Sequence, residues 1–150
     1  MGSSSPSREL VFDPVRKCWV KATPEEMVRQ KWLRRMVNQL EYPKELLVVE
    51  KELKELPHLQ GNDVPNRRLD ILCYGTGIEF PLLLIECKDE RLDEKAIDQV
   101  IGYNHHVKAC FVAVVGHEEA QLGHFDVDEK KYVFYSVLPS FKELMQWVKR

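Results

Sequence analysis

Charged side chains fall at the ends of two neighbouring apolar segments of the chain. Glu86 and Lys88 end the segment PLLLIECK, in which residues 82 to 85 have the continuous apolar character of a strand buried on both faces. Successive side chains on a strand point to opposite faces, so Glu86 and Lys88 share one face. Asp70 lies in the preceding strand-like segment, RRLDILCY, and the turn sequence GTG connects the two. The sequence therefore predicts a hairpin with charged residues at one end.

The register of this hairpin decides whether Asp70 meets Glu86. A turn centred near Gly77 places Asp70 opposite a residue between 84 and 86, and in one of these registers the Cβ atoms of Asp70 and Glu86 are ~5 Å apart. Two carboxylates at that separation repel each other unless a cation neutralises them or one takes up a proton. A hard divalent cation, Mg²⁺ or Mn²⁺, suits a site made of carboxylates, water and phosphate oxygens.

Lys88, on the same face, would place a positive charge beside such an ion. A metal, two carboxylates and a lysine suit phosphodiester hydrolysis, because the metal lowers the pKa of a bound water and the lysine orients the nucleophile or offsets developing charge. The simpler interpretation is that Asp70 ends a strand and that Glu86 and Lys88 form a surface ion pair. Three further polar residues, at positions where apolar ones are expected, favour the first interpretation.

Two predicted helices supply these three polar residues. The first helix spans residues 24 to about 40, and Glu26 projects from its core-facing stripe near the start. The second spans residues 93 to 108 and carries Gln99 and Tyr103 on or beside its buried stripe, at an i, i+4 spacing. Alone, Glu26 could serve the helix dipole, and Gln99 and Tyr103 could be a half-buried pair bonded to the main chain.

The remaining segments complete an α/β pattern. Strands are predicted at residues 46 to 53, 67 to 74, 82 to 88, 109 to 116 and 132 to 137, and a closing amphipathic helix at residues 140 to 149. The order αβββαββα predicts a mixed sheet with helices on both faces. Residues 1 to 20 are predicted to be a flexible N-terminal tail, and residues 21 to 150 a single domain.

Composition restricts the class of protein. The sequence lacks the ~18 consecutive apolar residues of a membrane span and a basic-then-apolar signal pattern, so a cytoplasmic protein without membrane contact is expected. The four cysteines show no CxxC pairing and are expected to be free thiols, and the histidine spacing predicts no zinc site. The net charge of −2 means that any DNA contact must come from local basic patches or through a metal ion.

The ordered set of segments resembles the PD-(D/E)xK nuclease superfamily, and more closely the N-terminal nuclease domain of type I restriction enzyme R subunits. The matching stretches, between residues 23 and 116, are TPEEMVRQKWLRRMV, YPKELLVVEKEL, RRLDILCY, PLLLIECK and DQVIGYN. This resemblance implies a restriction endonuclease-like fold with an αβββαβ core. It also implies Mg²⁺ or Mn²⁺ as the cofactor and DNA as the partner.

The resemblance assigns roles to individual residues. Catalytic roles are implied for Asp70, Glu86, Lys88, Gln99 and Tyr103. Metal ligation is implied for Asp70, Glu86 and Glu26, the last filling the acidic position of the first helix. Gln99 and Tyr103 match the QxxxY motif, which in RecB-like nucleases is associated with nuclease function and DNA contact.

Basic residues near the predicted site are the expected phosphate contacts of a nuclease. They are Arg29, Arg34 and Arg35 on the first helix, and Arg67 and Arg68 before the Asp70 strand. Such charges more often form a solvated surface, so this assignment depends on the nuclease hypothesis.

Two functional hypotheses follow. The first is an Mg²⁺-dependent nuclease that hydrolyses DNA phosphodiester bonds. The second is a non-catalytic DNA-binding or assembly module, since R subunits continue into an ATP-driven motor and this sequence contains no GxxxxGK[ST] loop. A protein partner would then supply a motor or specificity subunit, and a homodimer is compatible with either hypothesis. A nucleotide-binding domain is disfavoured because a glycine-rich strand-to-helix turn is missing.

The predicted pair of acids also has a consequence for stability. Because Asp70 and Glu86 repel each other, replacing Asp70 by alanine is expected to raise thermal stability when no metal is bound.

Overall fold

The computed structural model describes residues 9 to 76 and 80 to 149. In these residues the helices and strands are β1 (Leu10–Asp13), β2 (Cys18–Lys21), α1 (Pro24–Asn38), β3 (Leu47–Val49), β4 (Ile71–Tyr74), β5 (Pro81–Cys87), α2 (Glu94–Val107), β6 (Phe111–Val115), β7 (Ala120–Asp126), β8 (Lys131–Tyr135) and α3 (Phe141–Val148). No helix among them is long and apolar enough to cross a membrane.

Six strands form one mixed sheet in the order β3-β4-β5-β6-β7-β8. The pair β5–β6 is parallel and the other neighbours are antiparallel. A parallel pair needs a crossover connection, which α2 supplies. Apolar residues of α1 and α3 pack on one face of the sheet and those of α2 on the other. The predicted α/β fold, a mixed sheet flanked by helices, is confirmed.

The β4–β5 hairpin has the register on which the predicted site depends. Ile71 pairs with Ile85 and Leu72 with Leu84, so the residue before β4, Asp70, faces Glu86. Strand β5 is buried along its whole length, as expected for a strand with neighbours on both sides. Gly77, part of the predicted turn, lies outside the described residues.

The N-terminal residues differ from the predicted tail of residues 1 to 20. Strands β1 and β2 form an antiparallel hairpin within that range, in which Phe12 pairs with Trp19. The buried side chain of Asp13 stabilises the turn, because its Oδ1 accepts hydrogen bonds from the main-chain N–H groups of Val15 and Arg16 at 2.7 and 2.8 Å. Apolar periodicity could not reveal a short hairpin held by a polar side chain.

Two further elements correct the predicted order. The strand expected at residues 46 to 53 ends at Val49, because Glu50 has a left-handed main-chain conformation with φ of 52°. Strand β7 was not predicted, since Gly123 interrupts its apolar pattern. The ring of Phe134 lies over Gly123 and leaves no room for a Cβ atom at that position. The observed order is therefore ββαβββαβββα.

Candidate active site

Asp70, Glu86 and Lys88 meet at the end of the β4–β5 hairpin. The main-chain N–H of Cys87 donates a hydrogen bond to Asp70 Oδ2 at 2.8 Å, which holds this carboxylate against strand β5. Lys88 Nζ donates to Gln99 Oε1 at 2.7 Å and lies 3.9 Å from Glu86 Oε2. Three of the predicted site residues, Glu86, Lys88 and Gln99, therefore lie together, and the crossover helix α2 positions Gln99.

The carboxyl groups of Asp70 and Glu86 are buried next to each other, with only 6% and 7% of each residue exposed. Burial, as the larger effect, and the negative charge of Asp70 together raise the pKa of Glu86 to about 9. Lys88 acts in the opposite direction but does not compensate for these effects. Without a further cation, the protonated form of Glu86 is therefore favoured at neutral pH.

A buried arginine joins Asp70 to helix α1. Arg29 Nη2 lies 2.5 Å from Asp70 Oδ1, and Arg29 Nη1 lies 2.5 Å from Glu26 Oε1. Glu25 and Glu50 approach the same Nη2 at 3.3 and 3.4 Å. Burial alone would lower the pKa of Arg29, but these carboxylates, Asp70 foremost, raise it above its ordinary value. Arg29 is thus the resident counter-charge of the site.

The sequence predicted that Arg29 contacts phosphate, but its position in the structure does not fit that role. Its side chain is 3% exposed and its guanidinium is enclosed by carboxylates, so it does not present a charge to a nucleic acid at the surface. The sequence offered no signal for this burial, because an arginine on an amphipathic helix is usually solvated.

Glu26 projects toward the core side of α1, as expected, but its carboxylate is surrounded by donors. Its Oε2 accepts from Arg16 Nη2 at 2.8 Å and from Gln30 Nε2 at 3.0 Å, and its Oε1 accepts from Arg29. Arg16 and Gln30 also bind Asp13 Oδ2, each at 2.8 Å. This network attaches the β1–β2 hairpin to α1. Asp13 and Arg16 were not among the predicted site residues.

The other predicted basic contacts are spread over the surface. Arg34 is exposed on α1, whereas the guanidinium of Arg35 stacks on Trp32, 4.5 Å from the ring centroid. Arg67 lies 5.5 Å from the ring centroid of Tyr103. Arg68 is exposed, and its Nη1 donates to the main-chain oxygen of Glu50 at 3.1 Å.

In the predicted Gln–Tyr pair, Tyr103 lies farther from Lys88 than Gln99 does. It lies one helical turn beyond Gln99 on α2, half-buried beneath the guanidinium of Arg67. Gln99 contacts Lys88 directly, whereas Tyr103 borders a surface groove with Arg67 and His106. The pair thus extends from the carboxylates toward the surface.

The donor chemistry of Asp70 and Glu86 fits a hard divalent cation. Each oxygen of Asp70 accepts one hydrogen bond, from Arg29 or from Cys87, and so each retains a lone pair. In the described part of the chain, no group of three His, Cys, Asp or Glu side chains is arranged to hold a metal. Asp70 and Glu86 would therefore hold the ion with water or substrate oxygens, an arrangement usual for Mg²⁺. Glu26, predicted as a third ligand, has both of its oxygens engaged by donors.

The sequence predicted that Asp70→Ala stabilises the protein when no metal is bound. The contacts of Asp70 in the structure predict the opposite. The substitution leaves the buried Cys87 N–H without an acceptor and removes the closest counter-charge of Arg29. Relief of the repulsion with Glu86 offsets only part of this loss. The melting temperature of Asp70→Ala in chelator should therefore fall below that of wild type. A higher melting temperature would mean that repulsion between the two acids outweighs the contacts of Asp70 with Arg29 and Cys87.

Arg29→Met should lower the free energy of unfolding by about 3–5 kcal/mol, because it leaves buried carboxylates of Asp70 and Glu26 without their counter-charge. Urea denaturation measures the change. The matched control is Arg34→Met on the exposed side of the same helix, expected to change stability by less than about 0.5 kcal/mol. Equal stability of the two variants would mean that the buried ion pairs do not hold the site together.

Glu86 should make stability pH-dependent when no metal is present. The folded protein keeps the Glu86 proton up to about pH 9, whereas the unfolded chain releases it near the ordinary value of 4.5. Stability should therefore fall as the pH rises between these values, because the folded state binds more protons than the unfolded state.

Glu86→Gln, which cannot ionise and can donate to Asp70, should flatten this profile. It should also melt at a higher temperature than wild type at about pH 8 in chelator. Melting curves across this pH range provide the measurement, and parallel profiles for the two proteins would show that Glu86 is not the group responsible.

Comparisons with known proteins agree with the observed fold. The family model of the type I restriction enzyme R protein N terminus matches residues 24 to 139. The structure is similar to a fragment of a protein described as an HsdR subunit of a type I restriction enzyme from Vibrio vulnificus YJ016, with a TM-score of 0.57 and 17% sequence identity. That similarity covers 83% of this chain and 25% of the other. No curated protein matches the chain.

The two comparisons support different statements. At 17% identity, the likeness to the Vibrio vulnificus fragment shows the fold alone, and the match covers about a quarter of that fragment's chain. The family model, in contrast, covers the segment from α1 to the loop before α3, which includes Arg29, Asp70, Glu86, Lys88 and Gln99. The chain therefore belongs to the family of type I restriction enzyme R protein N termini.

Proposed function

We propose that this chain is a divalent-metal-dependent nuclease domain of the PD-(D/E)xK type, which hydrolyses phosphodiester bonds of DNA. The observation that carries the proposal is the buried pair of facing carboxyl groups, Asp70 and Glu86, with Lys88 beside them. Burying two facing acids costs folding free energy, so their presence favours a role in chemistry over a role in packing. Membership of the restriction enzyme R family supports DNA as the substrate.

The contacts of each residue in the site determine its role in the proposed reaction. A divalent cation held by Asp70 and Glu86 would lower the pKa of a coordinated water and polarise the phosphoryl group. Lys88 is aimed by its hydrogen bond to Gln99, and the ammonium retains two further protons with which to contact a phosphate oxygen as charge develops. Arg29 compensates the charge of Asp70 before and during the reaction. Glu86 would give up its proton on binding such a cation, because the positive charge favours the ionised carboxylate.

A second candidate function is a non-catalytic DNA-binding or assembly module within a larger restriction or DNA-processing complex. The observation that favours it is the contact of Arg29 with Asp70, because one of the two acids already has a counter-charge from the protein. The acidic cluster would then serve only to join α1 to the sheet. A protein partner would provide the motor or the specificity subunit.

Lys88→Ala separates catalysis from ion binding. Because Lys88 is not a proposed ligand, its loss should leave divalent-ion binding nearly intact while slowing hydrolysis by ~10²-fold or more. Asp70→Asn, which keeps the shape of the side chain, should abolish both. Cleavage of plasmid and single-stranded DNA with Mg²⁺ or Mn²⁺, together with calorimetric titration of the ion, measures the two effects.

The matched control for Lys88→Ala is Lys95→Ala, which removes an exposed lysine from the first turn of α2 and should change neither property. If the wild-type chain binds neither ion and cleaves no DNA, the nuclease proposal fails and the assembly-module function replaces it.

A further inference from the structure

The β1–β2 hairpin carries an exposed aromatic face. Phe12 pairs with Trp19 and Leu10 with Lys21, and residues directly opposite in an antiparallel pair project from the same face. Trp19 is 65% exposed, Leu10 56% and Phe12 45%. The rings of Phe12 and Trp19 meet edge to face, with centroids 5.4 Å apart. We call these four residues the hairpin face.

The hairpin is held firmly although this face is exposed. Its other side carries Asp13, which is fully buried and accepts hydrogen bonds from Gln30 and Arg16. Burial raises the pKa of Asp13, but its hydrogen bonds with Arg16 and Gln30 lower it more, so this carboxylate is stabilised in its charged form. The aromatic rings are therefore presented by a fixed element.

Basic side chains surround the hairpin face. Phe12 borders a groove of about 270 Å³ whose lining includes Arg34 from α1 and Lys44. Lys21 belongs to the face itself, and Lys17 lies at the hairpin turn. Within the described ranges, none of these four cations forms an ion pair. The face thus combines free positive charge with exposed aromatic rings.

We propose that the hairpin face binds single-stranded nucleic acid, with an unpaired base stacked on Trp19 and backbone phosphates on Lys21, Arg34 and Lys44. An exposed indole is a stacking platform for any base, and a basic groove beside it follows the phosphate chain. A protein partner fits less well, because Lys21 lies directly across from Leu10, and the centres of protein interfaces are depleted in lysine.

This inference rests in part on the proposed nuclease function, which it deepens by naming the form of the substrate. Arg16 in the hairpin contacts Glu26, and Glu26 contacts Arg29 beside Asp70. Arg34, which borders the groove next to Phe12, lies eight residues beyond Glu26 on the same helix, a rise of about 12 Å. A strand bound on the hairpin face would therefore lie within about 12 Å, along α1, of Glu26, whose partner Arg29 contacts Asp70.

The test measures binding in chelator, where no metal-dependent cleavage can occur. Anisotropy of a fluorescently labelled oligothymidine should show tighter binding than a duplex of equal length. Trp19→Ala should weaken binding by about tenfold, the typical loss of one base–aromatic stack. Lys21→Ala should weaken it and reduce its dependence on salt. The control Trp147→Ala removes an exposed tryptophan from α3 and should leave binding unchanged.

The remaining outcomes are interpreted for variants that melting curves show to be folded. Equal affinities for Trp19→Ala and Trp147→Ala would overturn the inference, as would a preference of the wild type for duplex. If the wild type binds no oligonucleotide and Trp19→Ala instead changes the oligomeric state, the face is a protein contact and the inference is wrong. Oligonucleotide binding without cleavage in Mg²⁺ would support the inference and count against the nuclease function, whereas cleavage without a Trp19 effect would do the reverse.

Discussion

The buried guanidinium of Arg29 is the interaction on which the organisation of the site depends. It touches Asp70 at the end of the β4–β5 hairpin and Glu26 on α1, residues that the chain brings together from distant segments. Glu26 in turn binds Arg16, so the N-terminal hairpin is fastened to the same network. Burying this many carboxylates would be prohibitive without a shared counter-charge. One arginine thus fixes the relative positions of the hairpin, the first helix and the sheet.

The two facing acids, Asp70 and Glu86, differ in the positive charges and donors that surround them. Asp70 receives a guanidinium and a main-chain N–H, whereas Glu86 has Lys88 at 3.9 Å as its nearest cation. Burial and the neighbouring charge therefore raise the pKa of Glu86, which exchanges a proton for a cation under the proposed function. A carboxyl group with a strongly raised pKa beside a second carboxylate is typical of functional sites.

The parts of the site that depend on local periodicity could be predicted from the sequence. The hairpin turn and the alternation of side chains predicted the opposition of Asp70 and Glu86 as one of the possible registers, and helical spacing placed Gln99 on or beside the buried stripe of α2. The burial of Arg29 could not be predicted, because it depends on an ion pair between residues 41 positions apart. The N-terminal hairpin was expected to be a tail because the polar contacts of Asp13 that hold it leave no mark in the apolar periodicity. Strand β7 was missed because its apolar pattern is interrupted at Gly123.

The central claim is that Asp70 and Glu86 form a cation site in which an ion replaces a proton. Calorimetric titration of Mg²⁺ or Mn²⁺ at about pH 7.5, in two buffers of different ionisation enthalpy, counts the protons released for each ion bound. We expect the wild type to release about one proton per ion and Glu86→Gln to take up no ion. Ion uptake without proton release, or no uptake by the wild type, would contradict the claim.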